Sequence, residues 1–462
     1  DPRNGSIDTI SIEFNEAVTG FDLSDLRLSR DGGENLLTAA QTVSSSDGKT
    51  WTLSNLAGLT GRLGTYVLTL NAVGSGIADA AGNALAADAT EDFAVASITQ
   101  AGAIRLQRSA SDANRMEVYT GNGATPDYSV AFAALPQIHI VGLSGADQLT
   151  LDFSNGNMLP AGGLVFDGAG GSDSLKIKSS GDENLLVNNA GITVDATPIT
   201  FANVEDVGWD VAAGSSLTIG GSMAVALDAS MSLASLTLME SARLSLANGG
   251  DKVLRVGALS IGANATLDLG DNGMVISVKP ETANSVLQQV TNWVAAARGG
   301  EGKWLGKGLT SNVAQARAAA LEGYTGLGLM LNAENGEPIK TTFAGQAVGA
   351  NDILVKYTWT GDLNLDATVD GDDYFIIDSN FISQLASPRY QDGDLNSDGV
   401  IDGDDYFLMD SAFIAQGPRL AAEETPVLPS AEDVLVLKAA TTPEPQTTSS
   451  VLQQLFSVKP VL

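Results

Sequence analysis

Two copies of one pattern occur between residues 362 and 405: Asp362-Leu-Asn-Leu-Asp-Ala-Thr-Val-Asp-Gly-Asp-Asp373 and Asp394-Leu-Asn-Ser-Asp-Gly-Val-Ile-Asp-Gly-Asp-Asp405. In both copies aspartate or asparagine occupies positions 1, 3, 5, 9 and 12. Calcium prefers about six to eight oxygen ligands, and a loop of about 12 residues supplies them from positions 1, 3, 5, 7, 9 and 12. The repeat therefore predicts two calcium-binding loops.

The predicted ligands are side-chain oxygens, except at position 7, where the main-chain carbonyl is used. In the first loop they are Asp362, Asn364, Asp366, Thr368, Asp370 and Asp373. In the second loop they are Asp394, Asn396, Asp398, Val400, Asp402 and Asp405. A solvated acidic loop is the alternative. So many acidic residues would repel one another without cations, and their regular alternation with other residues favours a metal.

The two loops differ at position 6, where the chain turns sharply and glycine fits best. Gly399 holds this position in the second loop and Ala367 in the first, so we expect the first site to be weaker. Position 8 is apolar in both, Val369 and Ile401, which predicts a short β-bridge between the loops. After each loop apolar residues recur at i, i+3 and i+7, which predicts a shared helical core. They are Tyr374, Ile377 and Phe381, and Tyr406, Met409 and Phe413.

The two loops, each with aspartate at position 12 and a helix only on its C-terminal side, resemble a type I dockerin. This resemblance implies a module at 353–418 that attaches to a cohesin-like partner or packs within its own assembly. The segment Trp304-Leu-Gly-Lys-Gly-Leu-Thr-Ser311 resembles one that precedes such repeats in large secreted planctomycete-type surface proteins. The resemblance implies an extracellular or cell-surface location.

Residues 1–97 show short alternating apolar and polar runs, such as Ile10–Phe14 and Tyr66–Leu70, separated by Gly, Asp and Ser. Such alternation predicts the half-buried strands of a β-sandwich. The stretches Ile12–Val18 and Ile77–Leu85 resemble a bacterial Ig-like domain. That resemblance implies a spacer or adhesive role.

Residues 98–280 contain strand-sized runs separated by small turn residues, which predicts a β-rich body, either solenoid-like or a second antiparallel sandwich. Two turns, at 142–149 and 168–175, are similar to the Gly-x-Asp turns that bind calcium in stacked repeats; ordinary β-turns are the alternative. In the connector 281–352 we expect a helix begun by a capping box at Ser285 and Gln288, and a second helix over about 311–322. The chain is therefore predicted to be mainly β.

Composition limits the chemistry. With 24 Lys+Arg against 55 Asp+Glu the net charge is −31, which favours divalent cations and disfavours nucleic acid. No cysteine is present and His139 is the single histidine, so thiolate chemistry and poly-histidine zinc sites are excluded. No run of apolar residues is long enough for a membrane span. The chain opens without a secretion signal, so we interpret it as processed or truncated.

Residues 419–462 are predicted to be a Pro/Thr/Glu-rich linker that ends in an apolar tail, Ser450–Leu462. We expect this tail to dock, either on its own β-rich body or on a neighbouring copy, which would give a homo-polymer; simple disorder of the tail is the alternative.

The sequence favours a non-catalytic extracellular structural or adhesive protein that binds two calcium ions, with a cohesin-like or self-assembly partner and possible contact with surface polysaccharide. The alternative is a carbohydrate-active enzyme with its catalytic residues in the β-rich body. The body has few aromatic residues that could line a sugar cleft, which counts against the enzyme.

Overall fold

In the computed structural model, residues 5–416 are described with their side chains, and residues 2–3 and 434–439 by their backbone. The prediction of a mainly β protein is confirmed. The chain divides into two compact units: Asp1–Lys178 with Thr193–Asp206, and Ser179–Ile192 with Val207–Val451. The predicted division into five segments stays a prediction. No helix in the described residues is both long enough and apolar enough to cross a membrane.

The first unit begins with nine short strands. They are β1 (Pro2–Arg3), β2 (Ile10–Glu13), β3 (Val18–Thr19), β4 (Leu26–Arg30), β5 (Thr42–Ser45), β6 (Thr50–Ser54), β7 (Gly64–Leu70), β8 (Ala78–Asp79) and β9 (Ala89–Val95). One sheet has the order β1-β9-β7-β4, a second the order β2-β6-β5, and β3 pairs with β8. Alternate residues of β7 are buried, and side chains from both larger sheets share one hydrophobic cluster that includes Leu28, Leu53 and Tyr66. The alternation predicted from the sequence is therefore the inside-outside alternation of these strands.

A long series of strands follows. They are β10 (Ser97–Thr99), β11 (Ala103–Arg108), β12 (Met116–Thr120), β13 (Tyr128–Val130), β14 (Ile138–Val141), β15 (Gln148–Asp152), β16 (Leu164–Asp167), β17 (Ser174–Lys178), β18 (Asn184–Asn188), β19 (Gly191–Val194), β20 (Thr197–Ala202), β21 (Asp206–Asp210), β22 (Ser216–Ile219), β23 (Ala224–Leu227), β24 (Met231–Leu238), β25 (Arg243–Leu246), β26 (Val253–Ile261), β27 (Thr266–Asp268) and β28 (Gly273–Ile276).

In the first unit, β10, β14, β16 and β20 pair parallel in one sheet. Strands β11, β15 and β17 pair parallel in another, with β12 and β13 added antiparallel at its edge. From β14 to β17, successive strands go alternately to the two sheets. This stacking is the one expected for a solenoid-like body, and it differs from an antiparallel sandwich.

The second unit continues the same plan. One sheet contains β18, β22, β24, β26 and β28 in parallel, and the other contains β23, β25 and β27 in parallel. Helix α1 (Ala283–Arg298) then leads to β29 (Gly308–Thr310), which pairs parallel with β27. Helix α2 (Asn312–Ala319) and the strands β30 (Thr325–Leu331), β31 (Thr342–Phe343), β32 (Gln346–Ala347) and β33 (Ile353–Trp359) follow. Strand β33 pairs antiparallel with both β28 and β30.

The predicted start of α1 was wrong. The helix begins at Ala283, and Ser285 lies within its first turn, where its hydroxyl donates to the Thr282 carbonyl at 2.8 Å. Thus Ser285 and Gln288 form no capping box. In α2, by contrast, the Ser311 side chain caps the helix by accepting a hydrogen bond from the Ala314 amide, although the helix ends at Ala319, short of the predicted residue 322.

Two further helices, α3 (Gly371–Ser383) and α4 (Gly403–Ala415), follow the two acidic loops. Three short 3-10 helices lie at Leu23–Asp25, Phe132–Ala134 and Tyr390–Asp392. Among the described residues, the last element is β34 (Val434–Ala439), which pairs parallel with both β21 and β23. This strand falls within the segment predicted to be a linker. The rest of that segment, from residue 419, and the apolar tail 450–462 lie outside the described residues.

Candidate metal centre

The two predicted loops occupy equivalent places, each immediately before a helix. The carboxylate of Asp370 caps α3 by accepting a hydrogen bond from the Asp372 amide at 2.9 Å. Asp402 caps α4 in the same way, through the Asp404 amide at 2.9 Å. Aspartate is a preferred N-cap residue, so position 9 of each loop also fixes where the following helix begins.

Position 12 closes each loop on itself. One oxygen of Asp373 accepts hydrogen bonds from the Leu363 and Asn364 amides, at 2.8 and 3.2 Å. In the second loop Asp405 accepts the equivalent two bonds at 2.8 and 3.3 Å. The first and last turns of each loop are therefore held together by one carboxylate.

Position 1 is held by the middle of its loop. The two oxygens of Asp362 accept hydrogen bonds from the Asp366 and Ala367 amides, both at 2.9 Å. Asp394 accepts the equivalent bonds at 3.1 and 3.0 Å. Asp362 also accepts a hydrogen bond from the hydroxyl of Thr358 on β33.

These four aspartates, Asp362, Asp373, Asp394 and Asp405, are buried, and we call them the inner carboxylates. Burial raises the pKa of Asp373 to about 6; its backbone hydrogen bonds oppose the rise, and the charge of Asp362 adds to it. Burial likewise raises the pKa of Asp394 to about 6, with a contribution from the charge of Asp405. Burial is also the main cause of the raised pKa of Asp362 and of Asp405. All four ionised groups are therefore destabilised by lost hydration, and those in one loop also by each other.

The remaining predicted ligands lie on the outer side of the loops. Asn364 and Asn396 are half-buried, whereas the others are exposed: Asp366, Thr368, Asp370, Asp398, Val400 and Asp402. All twelve predicted residues thus lie in the two loops, and each loop brings its two inner carboxylates next to one another. The donors are all oxygen, which suits a hard cation such as calcium and not a soft metal.

The inner carboxylates have little compensating positive charge. Lys356 lowers the pKa of Asp362, whereas burial lowers the pKa of Arg298 and the negative charges of Asp394 and Asp405 oppose that lowering.

Within residues 5–416, no group of three or more His, Cys, Asp or Glu side chains is gathered as a ready-made metal site. The carboxylate oxygens bond to amides of their own loop. Binding of calcium by these residues therefore stays a prediction.

The expected difference between the loops has a backbone basis. Ala367 has a φ of 85° and Gly399 a φ of 92°, so both adopt the left-handed region that favours glycine. Alanine therefore carries strain in the first loop that glycine avoids in the second. The predicted β-bridge is not formed: the isolated bridges of the described chain do not include Val369 and Ile401. Instead, the side-chain amide of Gln416 bonds to the Val369 amide and carbonyl, at 2.8 and 2.7 Å.

The expected helical core is only half buried. Ile377 and Met409 are fully buried, but Phe381 is 51% and Phe413 47% exposed. The two helices nevertheless contact each other through matching edge-to-face ring pairs, with centroid distances of 5.9 Å for Tyr374–Phe413 and 6.0 Å for Phe381–Tyr406. Each tyrosine hydroxyl donates to an aspartate of the other helix, Tyr374 to Asp410 and Tyr406 to Asp378. The repeat in the sequence is therefore also a repeat of contacts.

Sequence reasoning missed the contacts between the loops and the sheet of the same unit. Leu365 is 3% exposed and belongs to a hydrophobic cluster with Val253, Val275 and Leu354. The hydroxyl of Tyr390, which is itself buried, accepts a hydrogen bond from the Gly361 amide at 3.3 Å. One signal was present in the sequence: position 4 is Leu365 in the first loop but Ser397 in the second.

The two Gly-x-Asp turns form a ladder of hydrogen bonds in the first unit. Asp147 and Asp173 are both buried, and the Asp173 carboxylate accepts a hydrogen bond from the Asp147 amide at 2.7 Å. The Asp173 amide in turn donates to Glu205 at 2.7 Å. Calcium binding by these turns stays a prediction.

No family model, no curated protein and no solved structure matches this chain. The likeness to dockerin and Ig-like domains therefore rests on the residues quoted above.

Proposed function

We propose that residues 353–418 form a calcium-ordered module of the dockerin type, in a non-catalytic extracellular structural or adhesive surface protein. The proposal includes an Ig-like spacer at the N-terminus and a cohesin-like or self-assembly partner. Its main support is the arrangement of the inner carboxylates, two in each of two equivalent loops, buried and placed next to one another.

Buried carboxylates of like charge are stable only when they are protonated or paired with cations. In each loop one inner carboxylate holds the ends of the loop together and the other holds its middle. These hydrogen bonds hold the loop closed, and the outer side-chain oxygens lie along this one short segment of backbone. A bound calcium ion would supply the positive charge that the inner carboxylates lack.

A structural role is favoured by the way the module is attached. Leu365, Tyr390 and Thr358 tie the first loop and the following 3-10 helix to the sheet of the same unit. Calcium-dependent order in the loops would therefore also stabilise this part of the β-rich body, in addition to any role in docking to a partner.

Melting of the full chain tests the proposal. Binding to the folded state alone raises stability by about 2.7 kcal/mol when the free ion is at 100 times its Kd. We therefore expect a clearly higher melting temperature in excess calcium than in excess chelator. Asp405→Asn should lower the calcium-dependent part of this difference, because it removes charge from an inner position.

The matched control is Asp372→Asn, which removes the same charge from an exposed position that is not a predicted ligand. This variant should keep the calcium-dependent shift of the parent. Equal melting of the parent protein in calcium and in chelator would contradict the proposal, and so would equal effects of the two substitutions.

A further inference from the structure

The strand β34 breaks the order in which the sheets of the second unit are built. In the sheet that contains β34, two strands pair directly when a single strand of the other sheet lies between them along the chain. Strand β23 pairs in this way with β25, and β25 with β27. By this rule β21 would pair with β23. Instead β34, from far along the chain, lies between them. We call the gap between β21 and β23 the acceptor slot.

Both edges of β34 are used. Its first four residues pair parallel with β23, Ala224 opposite Val434 through to Leu227 opposite Leu437. Its last three pair parallel with β21, from Val207 opposite Leu437 to Trp209 opposite Ala439. Without β34, the facing edges of β21 and β23 would have no partner strand in the acceptor slot, a condition that folded proteins avoid because open edges recruit other strands.

The segment that fills the slot is a short, mainly apolar run, Val434-Leu-Val-Leu-Lys-Ala439, with two β-branched residues and without proline or glycine. Such a run has high β-propensity and pairs readily with an open edge. It is joined to α4 through residues 417–433, a length of chain that can span up to roughly 60 Å. The segment can therefore reach the slot of an adjacent molecule.

We propose that the acceptor slot also receives residues 434–439 of a second copy of this chain, so that copies are joined by strand exchange. Residues 434–439 have the same partner strands, β21 and β23, in either copy. Exchange is favoured where the concentration of neighbouring chains approaches the effective concentration of the tethered strand, about millimolar. A crowded surface layer would provide such a concentration.

Cysteine pairs test the proposal, because the native chain has no cysteine. Ala226 is half-exposed and lies opposite Val436 in the register of β23 and β34. One chain carries Ala226→Cys and the other Val436→Cys; the two are unfolded, mixed, refolded together at high concentration and oxidised. A disulfide between positions 226 and 436, mapped by mass spectrometry, requires the strand of one copy in the slot of the other. The double variant in one chain should form the same link within the molecule.

The control pair is Ser245→Cys with Val436→Cys. Ser245 lies opposite Ala226 on the far side of β23, beyond the roughly 7 Å limit for a disulfide with position 436. We expect several-fold more covalent dimer from the 226/436 mixture than from this control, with or without calcium. A link within the double variant but no excess of dimer in the mixture would overturn strand exchange. Failure of the double variant to link would overturn the slot itself.

A peptide of residues 432–441 provides a second measurement that needs no refolding. The peptide should bind the full chain that carries Leu437→Pro, because this substitution removes an amide from a doubly paired position. It should not bind the parent chain. Ser430→Pro, outside the strand, is the matched control and should behave as the parent. Equal binding to all three chains, or binding to none, would count against the proposal.

Discussion

Replacing Ala367 by glycine should stabilise the first loop. A left-handed conformation costs a non-glycine residue about 1–2 kcal/mol, and glycine loses about 0.5–1 kcal/mol more than alanine on folding because of its freedom in the unfolded chain. The net expected gain is about 1 kcal/mol, or roughly fivefold in the equilibrium between the closed and open loop. The reciprocal change, Gly399→Ala, should destabilise the second loop by a similar amount.

In the second loop, the effect of backbone strain can be measured without a steric clash. No atom lies within 4 Å of the position that a Cβ would take at Gly399, so the substitution adds backbone strain without a clash. Native-state hydrogen exchange of the calcium-loaded full chain, followed separately in the peptides that contain α3 and α4, reports each loop by itself. Protection of α3 should rise in Ala367→Gly, and protection of α4 should fall in Gly399→Ala. If Ala367→Gly leaves α3 unchanged or less protected, the argument from backbone strain is refuted.

Two other substitutions and one assay extend these expectations. Leu365→Ser introduces the residue that the second loop has at the same left-handed position, with a φ of 63° at Ser397 and 58° at Leu365. The loss of folding free energy should therefore come from lost burial alone. We expect it to be about 3 kcal/mol, measured by chemical denaturation. The control Leu305→Ser removes a leucine that is 69% exposed and should change stability by less than about 0.5 kcal/mol; equal effects would mean that the loop does not depend on this contact. Incubation with a panel of polysaccharides should release neither new reducing ends nor unsaturated products, and robust turnover would establish the carbohydrate-active alternative.

The sequence was most informative where local rules act alone. The strands at Ile10–Glu13 and Gly64–Leu70, the cap at Ser311 and the places of the two acidic loops all follow from spacing within a few residues. It was least informative where a competing contact decides. The capping pattern at Ser285 does not start the helix, because the helix begins earlier, at Ala283, whose side chain is buried.

Tertiary contacts also decided two expectations in the module, one of which was wrong and one of which was met only in part. Val369 bonds to Gln416, a residue beyond the two loops, and does not pair with Ile401. Phe381 and Phe413 lie at the ends of the i, i+7 pattern, where each contacts one tyrosine of the other helix and stays partly exposed. The strand at 434–439 was overlooked since its apolar run lies between stretches rich in Pro, Thr and Glu, and only its distant partners reveal it.

The position of β34 has a consequence for the order of synthesis. Its neighbours β21 and β23 are complete by Leu227, but Val434 is made some two hundred residues later, roughly 10 to 40 s at ordinary rates of translation. During that interval the acceptor slot has no occupant from its own chain. Pairing over so long a separation in sequence is also intrinsically slow. A nascent or prematurely ended chain would therefore expose two open strand edges, and the closing of the sheet marks a molecule that has been made through residue 439.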